Sequence, residues 1–329
     1  NIQSSNDSPY LKALKFLDMG CHLNFVYSNS SSSTLGFYLF SLINHKNCNF
    51  SYFVDSIDNY YNYSFHITEH NGVFMSSNQI VGNETQFYSA LFKDPISIKF
   101  YTGWGKNILS RSYPTFHNIN ISEVLDKFEV NSIQLPNKDS IKNTHYNYSS
   151  FPIPYIMNDE LYYEILCNSV DNEIDREFYY NCFKSIKNLL YKNPNIFTID
   201  FYSINDLIEF SNKETIIYES MSELVPKLIL TKRQFKKHIS CLIDYLFSTD
   251  SCNFCLIPDT SKLNNNLFYC WCKKNEFLLV NYKNNFLDFK FTTNTLLVNS
   301  VSLLLENTYL NTPDNFKSKE YIANFLKSL

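Results

Sequence analysis

The spacing of hydrophobic residues alternates between helical and extended along the chain, which predicts a mixed α/β fold. In residues 8–20 apolar side chains recur every three or four positions after Ser8 and Pro9, so a helix is expected there. Residues 34–45 repeat that helical spacing. Residues 49–55 are rich in aromatic and branched side chains, which favour a strand.

The pattern continues with a hairpin at 63–77, where Asn71-Gly72 is a typical turn dipeptide. Residues 84–92 then predict a helix and residues 96–102 a strand. Further on, the sequence predicts a helix at 175–193, a strand at 195–202 and a short helix at 203–210.

The last third begins with a predicted helix at 231–247, in which Thr231 and Gln234 have capping-box spacing. Three strands and two helices are expected after it, in the order NFCLIPD, LFYCWC, EFLLVNY, TLLVNSVSLLLENTY and KSKEYIANFLKSL.

This last third resembles the first third, which suggests a duplicated unit. Cys48 aligns with Cys252 and Asp55 with Asp259, and both pairs lie 204 positions apart (252 − 48 and 259 − 55). The order of predicted helices and strands recurs at the same offset. We therefore expect two similar α-β-β-β-α halves packed as a pseudo-dimer, with a ligand groove between them because pockets favour junctions between domains.

The expected domain organisation follows from this repeat. The first α/β half covers residues 1–130, and a polar linker covers 131–150. A mainly helical connecting segment with one strand covers 151–230, and the second α/β half covers 231–329.

The charge of the chain changes what it is expected to bind. Its net charge is −4, whereas a domain that holds DNA phosphates usually has a cationic excess. The densest basic run, from Lys232 to His238, is better interpreted as a solvated helix face. We therefore do not expect this chain to bind nucleic acid directly.

The nine cysteines are scattered through apolar segments instead of forming a regular framework. No stretch is long and apolar enough for a membrane span, and the first residues are polar. These features predict a reduced, cytoplasmic protein that does not enter a membrane.

No catalytic or cofactor motif is present in the sequence. All six glycines lie at or before Gly105, and neither a dinucleotide-binding nor a P-loop pattern occurs. A nucleophile elbow is also missing, and Gly103-Trp104-Gly105 predicts only a turn. We expect no cofactor and no enzyme activity of a class that has a linear motif.

Four cysteines have a spacing that resembles a zinc site. Cys252 and Cys255 are followed by Cys270 and Cys272, and four thiolates can close a tetrahedral site. The stronger interpretation is that they are small buried hydrophobes, because Cys270 and Cys272 alternate along a predicted strand.

Four other residues are candidates for ligand binding. Asp55 and Asp259 each follow a predicted strand end, although a carboxylate there more often caps a turn. Trp104 and Tyr52 are the aromatic candidates, and for Trp104 the alternative is a place in the core.

Several stretches together resemble the C-terminal region of Firmicutes transcription regulators that carry a phage-repressor-type helix-turn-helix. They are SPYLKALKFLDMG, TKRQFKKHISCLIDYLF leading into NFCLIPD, and KSKEYIANFLKSL. The resemblance implies a cytoplasmic regulatory domain whose two halves are similar to phospholipase-D-like folds. The catalytic H-x-K-x-x-x-x-D pattern of that fold is missing here, so any such relation would be a non-catalytic one. It transfers no functional residue.

The expected function is a non-enzymatic sensing or oligomerisation domain. The chain starts with Asn1 and not Met, so we expect a DNA-binding head to have preceded it. DNA would be reached only through that head, with a small molecule or peptide as ligand and a homo-oligomer as the assembled form. A stand-alone interaction scaffold and an enzyme without a linear motif stay open as alternatives.

Overall fold

The protein is a mixed α/β chain, as predicted, and it divides into two compact units. The first unit takes in Asn1–Ser32 and His45–Thr115, and the second takes in Ser33–Asn44 and Phe116–Leu329. The computed structural model describes residues 15–28, 42, 45, 47–53, 62–68, 72–81, 84–118, 144–191, 197–219, 226–250, 252–258, 267–282 and 285–329. Within those ranges no helix combines the length and the apolar character needed to cross a bilayer.

Among its described residues, the first unit contains two three-stranded sheets and one long helix. The first sheet has the order β1-β2-β6, with β1 and β2 parallel, and β3-β4-β5 form an antiparallel sheet. The elements are β1 (Leu23–Ser28), β2 (Cys48–Phe53), β3 (Asn62–Thr68), β4 (Gly72–Val81), β5 (Glu84–Phe92), α1 (Pro95–Arg111) and β6 (Tyr113–Pro114). The predicted hairpin is confirmed as β3 and β4.

Two predictions in this unit are wrong: a predicted helix is a strand, and a predicted strand is part of a helix. Residues 84–92 form strand β5 and not a helix, because they pair with β4 along their whole length. Residues 96–102 belong to helix α1 and not to a strand, and the predicted turn at 103–105 is also helical. The Asp94 side chain accepts a 2.8 Å hydrogen bond from the Ser97 N–H, and Pro95 occupies the first turn.

The second unit is built on a seven-stranded sheet. The strands of the whole second unit, which include two outside this sheet, are β7 (His117–Asn118), β8 (Thr144–Ser149), β9 (Phe197–Ser203), β10 (Thr215–Tyr218), β11 (Leu228–Thr231), β12 (Cys252–Ile257), β13 (Leu267–Lys273), β14 (Phe277–Tyr282) and β15 (Asn285–Thr292). The helices are α2 (Asp159–Ser169), α3 (Glu173–Leu190), α4 (Ile204–Ser211), α5 (Lys232–Ser248), α6 (Thr295–Asn311) and α7 (Lys319–Ser328), with 3₁₀ turns at Pro154–Ile156 and Asp314–Lys317.

The strand order of this sheet is β12-β9-β8-β13-β14-β15-β7. The first three strands are mutually parallel, and the others are antiparallel to their neighbours. Strands β10 and β11 form a separate antiparallel ribbon against which α2 packs. Successive side chains of each strand point to opposite faces, so the sheet has two separate layers of core.

One face carries the main hydrophobic cluster and the other is covered by α6. The cluster joins Phe254, Trp271 and Leu279 of the sheet to buried side chains of α2, α3, α5 and α7. On the opposite face, Cys272 donates its thiol proton to the Val298 carbonyl of α6 at 3.5 Å. A sheet buried on both faces explains why its central strands have nearly continuous apolar sequences.

The predicted linker at 131–150 is wrong for its last residues. Residues 144–149 form β8, and five of its six residues are buried in the middle of the sheet. The segment 151–230 contains strands β9, β10 and β11, whereas only one strand was predicted there. The individual helices and strands predicted from residue 175 onward are confirmed within the described residues, including the capping box at Thr231 and Gln234. The N-terminus of α3 is capped by Asn172, whose side-chain oxygen accepts a hydrogen bond from the Ile174 N–H.

The order of elements recurs between the two units. Strands β2 to β5 followed by α1 correspond to β12 to β15 followed by α6, and both helices are 17 residues long. The predicted α-β-β-β-α half is therefore one strand short, because strand β15 lies between β14 and α6. The packing of two halves as a pseudo-dimer stays a prediction.

Candidate functional site: a buried polar layer

Polar side chains lie in the middle of the apolar face of the seven-stranded sheet. In β8 the sequence alternates, so His145 and Asn147 point to the same face as Trp271, while Tyr146 and Tyr148 point to the other. The sheet register places Asn147 beside Asp200 of β9, and Cys252 of β12 lies next to that strand. We call His145, Asn147, Asp200 and Cys252 the polar layer.

Asp200 is the centre of this layer. Its side chain is wholly buried, and its two carboxyl oxygens have different partners. The Asn147 amide donates a 2.7 Å hydrogen bond to Oδ1, and the Cys252 thiol donates to Oδ2 over 3.4 Å. Burial raises the pKa of Asp200, and these two hydrogen bonds lower it by a smaller amount. The resulting pKa is about 6, compared with an ordinary value of 3.8.

Tyrosine rings surround the carboxyl group. Burial raises the pKa of Tyr191, Tyr202 and Tyr269 well above the ordinary value, and the nearby charge of Asp200 raises each of them further. The Tyr245 hydroxyl donates to the Tyr191 carbonyl at 3.5 Å. The phenols therefore stay protonated, and Asp200 is the group of this region that titrates closest to neutral pH.

His145 lies two residues before Asn147 in β8, so its side chain points to the same face of the sheet. Its Nδ1 accepts a 3.0 Å hydrogen bond from the Trp271 indole N–H, so the ring is neutral. Burial, with a smaller contribution from the positive charge of Lys273, lowers the pKa of His145 to about 3. Lys273 is itself mostly buried and forms a 2.7 Å ion pair with Glu276.

A second buried imidazole, His238 of α5, follows the same rule. Its Nδ1 accepts from the Tyr218 hydroxyl at 3.0 Å, and its Nε2 donates to the Ile153 carbonyl at 3.1 Å. Burial lowers the pKa of His238 to about 3. Both ring nitrogens are therefore used to join α5 to β10 and to the chain before α2.

The thiols of the sheet are not activated as nucleophiles. Burial raises the pKa of Cys252, Cys270 and Cys272, and it raises the pKa of Cys255 to about 11. A thiol with a raised pKa has little thiolate at neutral pH and reacts slowly. The chemistry available here is hydrogen bonding and proton uptake by Asp200.

The four cysteines of the considered zinc site do not come together. Cys252 and Cys255 are three positions apart in one strand and so point to opposite faces, and β9 and β8 lie between them and the strand of Cys270 and Cys272. Among the described residues no group of three or more His, Cys, Asp or Glu side chains is arranged to hold a metal ion.

The other predicted site residues lie in the first unit or outside the described ranges. Asp55 and Asp259 are outside the described residues. Tyr52 is half-buried in β2, with its ring 6.4 Å from that of Tyr27 and 5.9 Å from that of Tyr113. Trp104 lies on α1 and is 39% exposed, so it is not a core residue.

No match comes from comparison with protein-family models, with curated proteins or with solved structures.

The polar layer was missed in the sequence for two different reasons. Asp200 is the only acidic residue in the strand NIFTIDFY, and a single carboxyl in an apolar strand is a usable signal. Asn147 and His145 gave no signal, because they lie in a stretch whose composition is typical of a linker.

The repeat makes Asp200 distinctive. Cys48 and Cys252 each open a strand that pairs in parallel with an earlier strand, and both are buried. In the second unit the register places Phe254 beside Asp200. At the corresponding pair in the first unit, Phe50 stacks on Phe25 with ring centroids 5.9 Å apart. Of these two pairs, only the one in the second unit contains a carboxyl group.

Proposed function

We propose that this chain is the effector part of a bacterial transcription regulator, a module that senses a signal and assembles without catalysing a reaction. It would reach DNA only through a helix-turn-helix head, as the resemblance to Firmicutes regulators implies. The net charge of −4 supports an indirect contact, since DNA-binding surfaces usually carry a cationic excess.

The observation that carries the proposal is the state of the polar layer. Its carboxyl, imidazole and thiol groups are the types that enzymes use, yet here they bond to one another or to Trp271 inside the core. The pKa of the Cys252 thiol is raised by burial, and that of His145 is lowered by burial, so neither is prepared for nucleophilic or base catalysis.

A sensing role is supported by the proton chemistry of Asp200. A buried carboxyl whose pKa is near 6 changes its charge within the range of pH that cells experience. Because its pKa is raised, the folded sheet is more stable when Asp200 is protonated than when it is ionised. Small molecules or peptides are further candidate ligands, for which the chain offers many aromatic side chains.

We place the protein in the cytoplasm as part of this proposal. All nine cysteines fall within the described residues, and none of them forms a disulfide. Free cysteines in this number are usual for a reducing compartment.

The test is the DNA occupancy of the native gene product in its source organism. Chromatin is crosslinked and precipitated with an antibody against this chain, and we expect enrichment at discrete promoter sites. Uniform background across the genome would overturn the proposal.

A variant pair tests whether the chain acts as the effector. Phe183 is buried and stacks on Tyr162 at 3.8 Å, so Phe183→Asp should disrupt the second unit. We expect promoters to stay occupied while their transcription no longer responds to the signal. Phe247→Asp is the matched control, because Phe247 is 53% exposed.

A second candidate function is a stand-alone interaction scaffold. The observation that favours it is helix α1, which has no buried residue and presents large apolar side chains to solvent. The occupancy experiment separates the two functions, since a scaffold would show no promoter enrichment.

A further inference from the structure

Helix α1 presents an apolar and basic surface to solvent. Ile96, Phe100 and Trp104 recur every four residues, and their exposed fractions are 82%, 65% and 39%. Lys99 and Arg111 are exposed on the same side of the helix. We call these five residues the basic stripe.

The corresponding helix of the second unit has a different environment. Helix α6 is also 17 residues long, and it buries seven residues in the core, including Leu297, Val301 and Leu305. Helix α1 buries none, although it holds its inner side against β3, where Gly105 allows close contact with Ile67. The outer side of α1 is therefore an amphipathic surface without a counterpart in α6.

An apolar and acidic surface lies on the first two turns of α3. Ile174 and Phe178 are four residues apart and are 78% and 50% exposed. Glu173, Asp175 and Glu177 are exposed around them. We call these five residues the acidic stripe. Farther along α3, Phe183 and Ile186 face the core.

The two stripes are opposite in charge, and both offer large apolar side chains at a spacing of four residues. The apolar side chains of the basic stripe lie within nine residues of α1, and those of the acidic stripe lie within five residues of α3. One carries cations and the other carries three carboxylates. Exposed apolar side chains of this size on amphipathic helices are typical of surfaces that bind another helix.

We propose that the basic stripe of one copy docks on the acidic stripe of a second copy of this chain. This inference rests on the proposed function as an assembling module, and it names the surfaces that assemble. A second copy fits better than an anionic membrane or a nucleic acid, because the net charge of −4 opposes both and the chain itself supplies the acidic partner.

The test reverses the charges of each stripe and measures the mass of the resulting assembly in solution. Lys99→Glu with Arg111→Glu reverses the basic stripe, and Glu173→Lys with Glu177→Lys reverses the acidic stripe. We expect the native chain to have twice its own mass, and each double variant to dissociate with a dissociation constant at least about tenfold weaker. An equal mixture of the two variants should recover the double mass, since the two reversed stripes are complementary to each other.

The matched control reverses charges elsewhere. Glu214 and Asp244 are exposed and belong to neither stripe, so Glu214→Lys with Asp244→Lys should leave the mass unchanged. Circular dichroism of every variant checks that the fold is kept. An uncharged variant, Phe100→Ser, should also weaken assembly, because it removes the central apolar side chain.

The outcomes separate this inference from the proposed function. A double mass that survives both reversals overturns the docking of these stripes and leaves the regulator proposal to the occupancy experiment. A native chain that stays monomeric also overturns the docking. Sedimentation of a monomeric native chain with phosphatidylserine vesicles, lost in Phe100→Ser, would overturn it in favour of a membrane.

Discussion

The amide of Asn147 donates a 2.7 Å hydrogen bond to the carboxyl of Asp200 between two adjacent parallel strands of the core. Both side chains are buried among tyrosine, tryptophan and phenylalanine rings. A polar pair in this position costs free energy unless each member keeps its partner. The stability of the second unit is therefore sensitive to substitution of this pair and to pH.

The first prediction concerns the proton of Asp200. Its pKa rises from 3.8 to about 6 on folding, so the stabilisation is complete below pH 3.8 and is lost as the pH rises through 6. At pH 7 to 8 ionisation of Asp200 should cost about 3 kcal/mol. Asp200→Asn lacks this cost, so it should equal the native chain near pH 4 and exceed its stability above pH 6.

Urea unfolding of both proteins between pH 4 and 8 measures this difference. Other titrating groups are common to both proteins and cancel in the comparison. The exposed Asp244 provides the control, and Asp244→Asn should shift stability by a small and constant amount. A constant difference for Asp200→Asn as well would contradict the prediction.

The second prediction concerns the coupling of Asn147 and Asp200. Asn147→Leu removes the donor and should cost about 1–3 kcal/mol, and Asp200→Leu leaves the amide without its acceptor at a similar cost. The double variant removes both polar groups and should cost less than the sum of the single changes. Free energies of unfolding at pH 5 complete the double-mutant cycle, and additivity within about 0.5 kcal/mol would refute the coupling.

The third prediction concerns thiol reactivity. Cys21 and Cys167 are exposed, while the four cysteines of β12 and β13 are buried. Iodoacetamide should therefore label Cys21 and Cys167 first, and the sheet cysteines only on unfolding. Peptide mass spectrometry gives the order of labelling, with a sample in urea as the reference for all nine. Rapid labelling of Cys252 in the native chain would be inconsistent with its bond to Asp200.

The fourth prediction tests the helical state of residues 95–111. A methyl group at Gly103 meets no atom within 4 Å, so Gly103→Ala should stabilise the helix by about 0.5–1 kcal/mol. At Gly105 the added carbon would lie 2.8 Å from Ile67 Cδ1, so Gly105→Ala should gain less or lose stability. Thermal unfolding of both variants gives the comparison. An equal and unfavourable effect at both glycines would be expected of a turn, not of a helix.

The exchange of types at residues 84–102 shows what a periodicity can miss. Ile96, Ile98 and Phe100 alternate as in a strand, and that pattern decided the prediction. The Asp94-Pro95 dipeptide was the better signal, because a capping carboxylate and a proline in the first turn both favour a helix start. Local capping chemistry outweighed the side-chain pattern here, and two of the alternating residues, Ile96 and Phe100, are exposed on α1.

Strand β8 was missed for a physical reason that single-sequence patterns do not contain. Polar residues are normally excluded from a sheet centre, but His145 and Asn147 are tolerated because Trp271 and Asp200 bond to them. Those partners are more than fifty positions away in the chain. By contrast, the helices and strands after residue 231 were predicted well because their caps and apolar periods are local.

The position of Asp200 in the chain also has a consequence for how the second unit folds. Asn147 precedes it by 53 residues, and Cys252 follows it by 52. Closing two loops of nearly equal length costs nearly equal entropy, so neither neighbouring strand is favoured to reach β9 first. Both neighbouring strands must pair with β9 before the carboxyl of Asp200 is shielded from water. Formation of the parallel centre of the sheet is therefore a slow, late step in folding.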